Sequence, residues 1–296
     1  MIASLYISDH SFLYNGSDSN IQVEKKLLNF NRMIDYVKQF DDNHFFYNAN
    51  KFLQTVILKD DITIGDILNS TRNNQYLHND CKLLFFKLFK FCKKTTVEKN
   101  KDFIEYLKLE SDKECNGILV LNKQEDLPCS LQIISTIEGW LDFRRFYLGK
   151  YPKDSRYFIS ESKKYFNHLL IHEQNSQNYL KDILDSHSNR LVHYLSALND
   201  HFLCDFSKFN GDLIQFLPVF SSRYGIDDAS FEGTKKDKFK CTFQSEDNGN
   251  IEVYCEPHLK MQKDDKGNRK QLARIYFKAP LKSDTFIYIG FICRHL

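Results

Sequence analysis

The first limits on function come from what the chain has little of. Lys plus Arg number 41 and Asp plus Glu 39, a formal net charge of only +2. No excess of one sign is therefore available to coat a nucleic acid, and any such contact has to be a local patch. The eight cysteines, at 81, 92, 115, 129, 204, 241, 255 and 293, include no pair at the short spacing of a zinc site. Several lie in apolar strand-like runs, as Cys255 and Cys293 do, which predicts buried free thiols in a reducing compartment. No stretch approaches the length of a membrane span. The opening Met1-Ile2-Ala3-Ser4-Leu5-Tyr6 has neither the basic flank nor the sustained apolar run of an export leader. A cytoplasmic protein without membrane contact is expected. Internal repeats and low-complexity linkers are missing as well.

What is present reads as a folded chain. Hydrophobic residues make up 42% and charged residues 27% of 296 positions, close to ordinary globular proteins. The length exceeds what one core usually serves, so two subdomains are expected. The fold class is α+β: a mixed, mainly helical region over residues 1–204, with a regulatory or recognition role, then a small four-stranded antiparallel sheet packed on helices over 205–296. The boundary is placed near 204–212, where Asn210-Gly211 interrupts the apolar pattern.

In the first region Leu27, Phe30, Ile34 and Val37 recur at three- and four-residue steps and predict an amphipathic helix over about 22–40. Leu53–Leu58, Lys59-Asp60-Asp61 and Ile62-Thr63-Ile64 suggest a hairpin, and Gly65 or Asp66 a short helix after it. Residues 82–94 combine Leu83, Leu84, Phe85, Phe86, Leu88, Phe89 and Phe91 with lysines; a buried helix with snorkelling lysines is preferred to a membrane-surface segment. Gly117–Leu121 predicts a buried strand that exits at Asp126-Leu127-Pro128. Leu180, Leu184, His187, Leu191, Tyr194 and Leu198 draw one seam down a helix of roughly seven turns. Its partners are sought in 131–148, which holds Trp140 and Arg144-Arg145, and in 160–171, with Ser160 as cap after Tyr151-Pro152.

Toward the end of the chain, Phe239–Phe243 and Ile251–Cys255 flank Asp247-Asn248-Gly249-Asn250, a strong hairpin signal. Strands over 272–278 and 285–293 follow a polar excursion at 262–270. Alternation assigns Ile251, Val253, Cys255, Ala273, Ile275, Phe277, Ile287, Ile289, Phe291 and Cys293 to an apolar face that needs a helix. The opposite, open face receives Tyr254, His258, Lys260, Arg274, Tyr276, Tyr288, Gly290 and Arg294, with His295 outside the strict alternation.

These residues carry a resemblance. The arrangement is similar to the fold of barnase and the RelE-type ribonuclease toxins, in which catalytic side chains project from the open face of an antiparallel sheet. The resemblance implies His258 and Lys260 on one strand, Arg274 and Tyr276 on the next, and Arg294 with His295 at the last as catalytic residues, with Tyr254 and Tyr288 holding RNA bases. It covers at most 205–296. The His295-Leu296 ending after Ile287-Tyr288-Ile289-Gly290 also resembles bacterial proteins of phage-defence loci.

The implied activity is a metal-independent endoribonuclease toxin or abortive-infection effector, needing no cofactor. A histidine takes the 2′-hydroxyl proton, Arg274 and Arg294 neutralise the phosphoryl oxygens, and the product is a 2′,3′-cyclic phosphate. The implied partners are RNA, with tRNA or ribosome-bound mRNA as candidates, and an inhibitory protein. The competing class is a non-catalytic nucleic-acid- or protein-binding component, and the plain reading of each residue alone is a solvated side chain or a turn histidine.

Two further constellations weigh less. His168 and His172 have the four-residue spacing of metal ligands on a helix, but Glu173 follows them where a zinc protease needs it between. Arg190, His193 and His201 resemble a helical ribonuclease set, with an Arg-to-His spacing that is too short.

Overall fold

The computed structural model describes residues 2–47, 49–71, 76–94, 107, 114–122, 131–231, 236–245, 249–278 and 285–294. It is a mixed helix-and-strand protein that divides into two compact units, Met1–Phe143 and Arg144–Leu296. The division falls inside a helix, sixty residues before the break expected near 204. The cause is that the long helix of the middle region and a strand just ahead of it belong with the C-terminal sheet.

The first unit is built on a parallel sheet, which the reading of this region as mainly helical did not foresee. Its strands are β1 (Ile2–Ser8), β2 (Asn43–Tyr47), β3 (Lys93–Lys94), β4 (Glu114–Leu119) and β5 (Ile133–Ile134), in the spatial order β3-β2-β1-β4-β5. Every pairing is parallel. The chain therefore builds outward from β1 on one side, then returns to build on the other, the topology of a doubly wound sheet. Ala3, Leu5, Tyr6 and Ile7 of β1 are all buried, as a central parallel strand covered on both faces requires.

Helix α1 (Asn20–Val37) opens with a capping box: Gln22 N–H donates to Ser19 Oγ at 3.4 Å and Ser19 N–H to Gln22 Oε1 at 2.8 Å. Its predicted stripe of Leu27, Phe30, Ile34 and Val37 is buried. A short helix α2 (Ala49–Phe52) precedes α3 (Ile64–Asn69), which carries a second capping box between Thr63 and Asp66. Between them the expected hairpin shrinks to one bridge, Val56 to Thr63, turned by Asp60 and Asp61 at positive φ. Helix α4 (Asn79–Phe91) buries Leu84, Phe85 and Leu88 but leaves Leu83 61% and Phe86 56% exposed, so it is not the fully buried helix expected. Phe12, Phe30, Phe52 and Phe85 interlock edge to face in the core, with centroids 5.1 to 5.4 Å apart around Phe12 for the nearest two.

The second unit begins within α5 (Ile137–Lys150) and continues through α6 (Ser155–Tyr165), capped by Asp154 and not by Ser160. Buried Arg144 donates to Tyr165 Oη at 2.8 Å and Arg145 to Asp200 Oδ2 at 2.7 Å, so the arginine pair ties helices together. Strand β6 (Leu169–Ile171) leads into α7 (Glu173–Ala197), whose seam from Leu180 to Leu198 is buried throughout. His187, at φ −135° and ψ 16°, breaks this helix in the middle. The chain then runs through α8 (Leu203–Phe206) and α9 (Leu213–Arg223).

The C-terminal sheet has five strands, not four. The order is β6, β12 (Ile287–Cys293), β11 (Arg269–Phe277), β10 (His258–Lys263) and β7 (Asp228–Ser230), antiparallel except that β6 runs parallel to β12. The hairpin β8 (Lys240–Ser245) and β9 (Gly249–Tyr254) forms as predicted but is a separate two-stranded sheet. Helix α7 packs on one face of the five-stranded sheet, and the hairpin lies on the other. A register shift between Tyr276 and Phe277 moves Phe291 and Cys293 off the predicted apolar face and under the hairpin. Six of the described cysteines are buried and all seven are free, in line with the composition.

Candidate functional site

The C-terminal strands do place the predicted side chains together. His258 stands opposite Tyr276 and Lys260 opposite Arg274, so all four project from one face. The His258 and Tyr276 rings lie 4.8 Å apart, and Arg274 Nη1 donates to Tyr276 Oη at 3.0 Å.

That face is closed, however, not open. Phe239, Cys241, Phe243, Val253 and Cys255 of the hairpin form one core with Tyr276, Phe291 and Cys293. His258 and Tyr276 are 2% and 1% exposed. Both nitrogens of His258 are engaged: Nδ1 with the Glu256 carbonyl at 3.1 Å, which can only accept, and Nε2 with Ser230 Oγ at 2.9 Å. Lys260 is held by Asp228 Oδ2 at 2.7 Å. Tyr288 packs under Phe243 with centroids 5.0 Å apart, whereas Tyr254 is exposed on the hairpin's outer side, away from this group. Arg294 is half exposed, 4.0 Å from Asp182. His295 lies outside the described residues. Alternation thus placed His258, Lys260, Arg274 and Tyr276 on one face but misplaced Phe291 and Cys293 and did not foresee the closure, because the strands Phe239–Phe243 and Ile251–Cys255 fold over the sheet instead of extending it.

The other constellations resolve as structure. His168 and His172 flank β6 instead of sharing a helix, and His172 Nδ1 caps α7 by accepting from Asn175 N–H. Arg190 pairs with Asp227, His193 meets the Tyr224 carbonyl at 2.8 Å, and His201 stacks on Tyr224. Among the described residues no group of three or more His, Cys, Asp or Glu is placed to hold a metal ion.

The parallel sheet of the first unit presents a different site. In open sheets of this kind, ligands bind beyond the carboxyl ends of the strands where the winding reverses. Here that point lies between β1 and β4. Strand β1 ends at Ser8 and turns through Asp9–Phe12 as a 3-10 turn. The two strand ends are clipped together, with Asn122 N–H donating to the Ser11 carbonyl at 3.0 Å and Lys26 Nζ to Asn122 Oδ1 at 2.9 Å. Lys26 also pairs with Asp18.

Asp9 is the unusual group. It is 4% exposed, and its Oδ1 has no hydrogen-bond partner among the described residues. Burial is the main influence and raises its pKa above the usual carboxylate value; the charges of His10 and Lys51 and the His10 amide oppose the shift. A buried carboxyl with one open oxygen, its pKa raised above the usual carboxylate value and near the charges of His10 and Lys51, can act as a proton acceptor. Composition and alternation had no means of singling out Asp9, since its burial and the charge of Lys51 come from segments distant in sequence, and only His10 is a chain neighbour. An Asp directly after an apolar-rich strand, whose residues Ala3 to Ile7 are buried, was the available signal. Comparisons with protein-family models, with curated proteins and with solved structures find no match to this chain.

Proposed function

We propose that the chain is a metal-independent endoribonuclease whose chemistry is seated at the switch point of the N-terminal sheet, not on the C-terminal sheet. The observation that carries this is Asp9, buried at the end of β1 with Oδ1 unpartnered. In this reading the Asp9 carboxylate takes the proton of a ribose 2′-hydroxyl. The 2′-oxygen bonds to phosphorus, His10 gives a proton to the departing 5′-oxygen, and Lys51 offsets the charge of the phosphorane. The products are a 2′,3′-cyclic phosphate and a 5′-hydroxyl, so atoms and charge balance without a cofactor. The helix that carries Lys51 packs against the turn that carries Asp9, and the Lys51 charge acts to lower the Asp9 pKa.

The proposed setting is a cytoplasmic toxin or abortive-infection effector in anti-phage defence, held by an inhibitory protein. Its support is the resemblance of the C-terminal segment, together with the finding that no described helix is long and apolar enough to cross a membrane. The alternative, a non-catalytic binding component, loses that same face, because the hairpin closes it to any partner.

The test is a gel assay of the full chain with total and ribosome-bound RNA in excess chelator. Cutting that falls by about 100-fold or more in Asp9→Asn, with His258→Ala unchanged relative to folded protein, supports the proposal. Equal cutting by wild type and Asp9→Asn overturns the site. Intact RNA retained by both proteins points to the binding component.

A further inference from the structure

Helices α1 and α4 run side by side in the same direction. His78 N–H at the start of α4 donates to Glu24, near the start of α1, and Lys87 farther along reaches Asn31 and Asp35. Between them lies a groove. On α1 it is lined by Leu28, Asn31 and Arg32, and on α4 by Asp80, Leu83, Phe86, Lys87 and Lys90. These are helical steps of three and four residues on both sides, the spacing that offers a seat to a third helix.

The floor is apolar and exposed, through Leu83 and Phe86. The rim is basic. Lys87 is neutralised by Asp35 at 2.7 Å, while Arg32 and Lys90 have no ion-pair partner among the described residues. Lys38 adds to the crowding: burial, then the charges of Lys87 and Lys90, hold its pKa below the usual value. An anionic occupant pairs with Arg32 and Lys90, and an apolar stripe on it covers Leu83 and Phe86. Because the apolar groups line a concave seam between two helices, the shape fits a helix better than a flat lipid surface.

We propose that the α1–α4 groove docks an acidic amphipathic helix of a partner protein, with apolar side chains over Leu83 and Phe86 and carboxylates on Arg32 and Lys90. The site is independent of Asp9, and either proposal stands if the other fails.

The probe is a synthetic peptide of about 16 residues with Leu at i, i+3 (or i+4) and i+7 and Glu elsewhere, titrated by fluorescence anisotropy into the full chain. A second peptide carries Lys in place of Glu. The acidic peptide should bind at least about tenfold more tightly than the basic one, and Phe86→Ser should weaken it by a similar factor. Arg32→Glu with Lys90→Glu should reverse the preference, so that the basic peptide now binds the variant; that gain cannot come from misfolding. Equal binding of both peptides, no binding of either, or a preference untouched by the charge reversal overturns the proposal. Vesicles of anionic lipid that bind wild type and compete with the peptide also overturn it, in favour of a membrane surface.

Discussion

Asp265 caps the second half of helix α7 at Arg190: its Oδ1 accepts from the Arg190 amide at 3.0 Å, while Oδ2 accepts from Asn189 N–H at 3.0 Å. The donors are free because His187 breaks the helix one turn earlier, and the cap comes from the loop between β10 and β11, 75 residues away in sequence. The Arg190 side chain returns the contact through its Nε to the Asp264 carbonyl at 2.9 Å. Asp265→Ala should destabilise the protein by about 1 to 2 kcal/mol. Amide exchange should quicken at 188–191 before it does at 176–184; uniform quickening would mean that the break is not held by this loop.

The hairpin is closed down on the C-terminal sheet by Phe239 over Tyr276, ring centroids 5.6 Å apart. Phe239→Ala should cost about 3 kcal/mol, as truncation of a buried phenylalanine does. It should also admit a histidine-modifying reagent to His258, read by mass spectrometry. If cleavage resides at Asp9, opening this face should not raise it.

Gly290 sits where β12 passes beneath the hairpin. A Cβ there would fall 2.7 Å from both Cys241 Sγ and Cys255 Sγ and 2.8 Å from Cys255 Cβ. Gly290→Ala therefore forces sulfur or backbone to move, with an expected loss of about 1 to 3 kcal/mol in thermal or denaturant unfolding. An unchanged midpoint would show that the two strands can part freely.

Burial holds the His44 pKa down to about 4, against an ordinary value of 6.5. A ring that stays neutral in the folded protein and gains a proton on unfolding contributes stability above pH 6.5. That stability is lost as pH falls from 6.5 toward 4, by about 3 kcal/mol over the window. His44→Leu should flatten the pH dependence of unfolding between those limits. A slope identical in the variant would assign it to other groups.

Asp9 shifts in the opposite direction. A carboxyl whose pKa is raised on folding destabilises the folded state as pH climbs from the unfolded value of 3.8 through the folded one, and the penalty persists at neutral pH. Asp9→Asn should therefore melt higher than wild type at pH 7 while losing activity, and the gain should vanish below pH 3.8. A variant that melts lower at pH 7 would show Asp9 to be a structural anchor instead.

Some of this protein was legible in its residues. The stripes of α1 and α7, the buried strand at Gly117, the pairing of β8 with β9 and the shared face of His258, Lys260, Arg274 and Tyr276 all follow from patterns that act over a few residues. What lay over each face did not. Whether the hairpin strands join the sheet or stack on it is decided by Phe239, Phe243 and Val253 finding Tyr276 and Phe291, contacts that no local pattern encodes. The parallel sheet escaped for a related reason: β2 is five residues and β3 two, and β2 takes its register from β1 and β3 from β2, partners far away in sequence. Local pattern sufficed for the stripes of α1 and α7 and for the shared face of β10 and β11, because those are set by backbone geometry and side-chain alternation. Only the tertiary structure decided that the basic face is closed and that Asp9 is left with an open oxygen, because exposure and desolvation belong to the packing of distant segments.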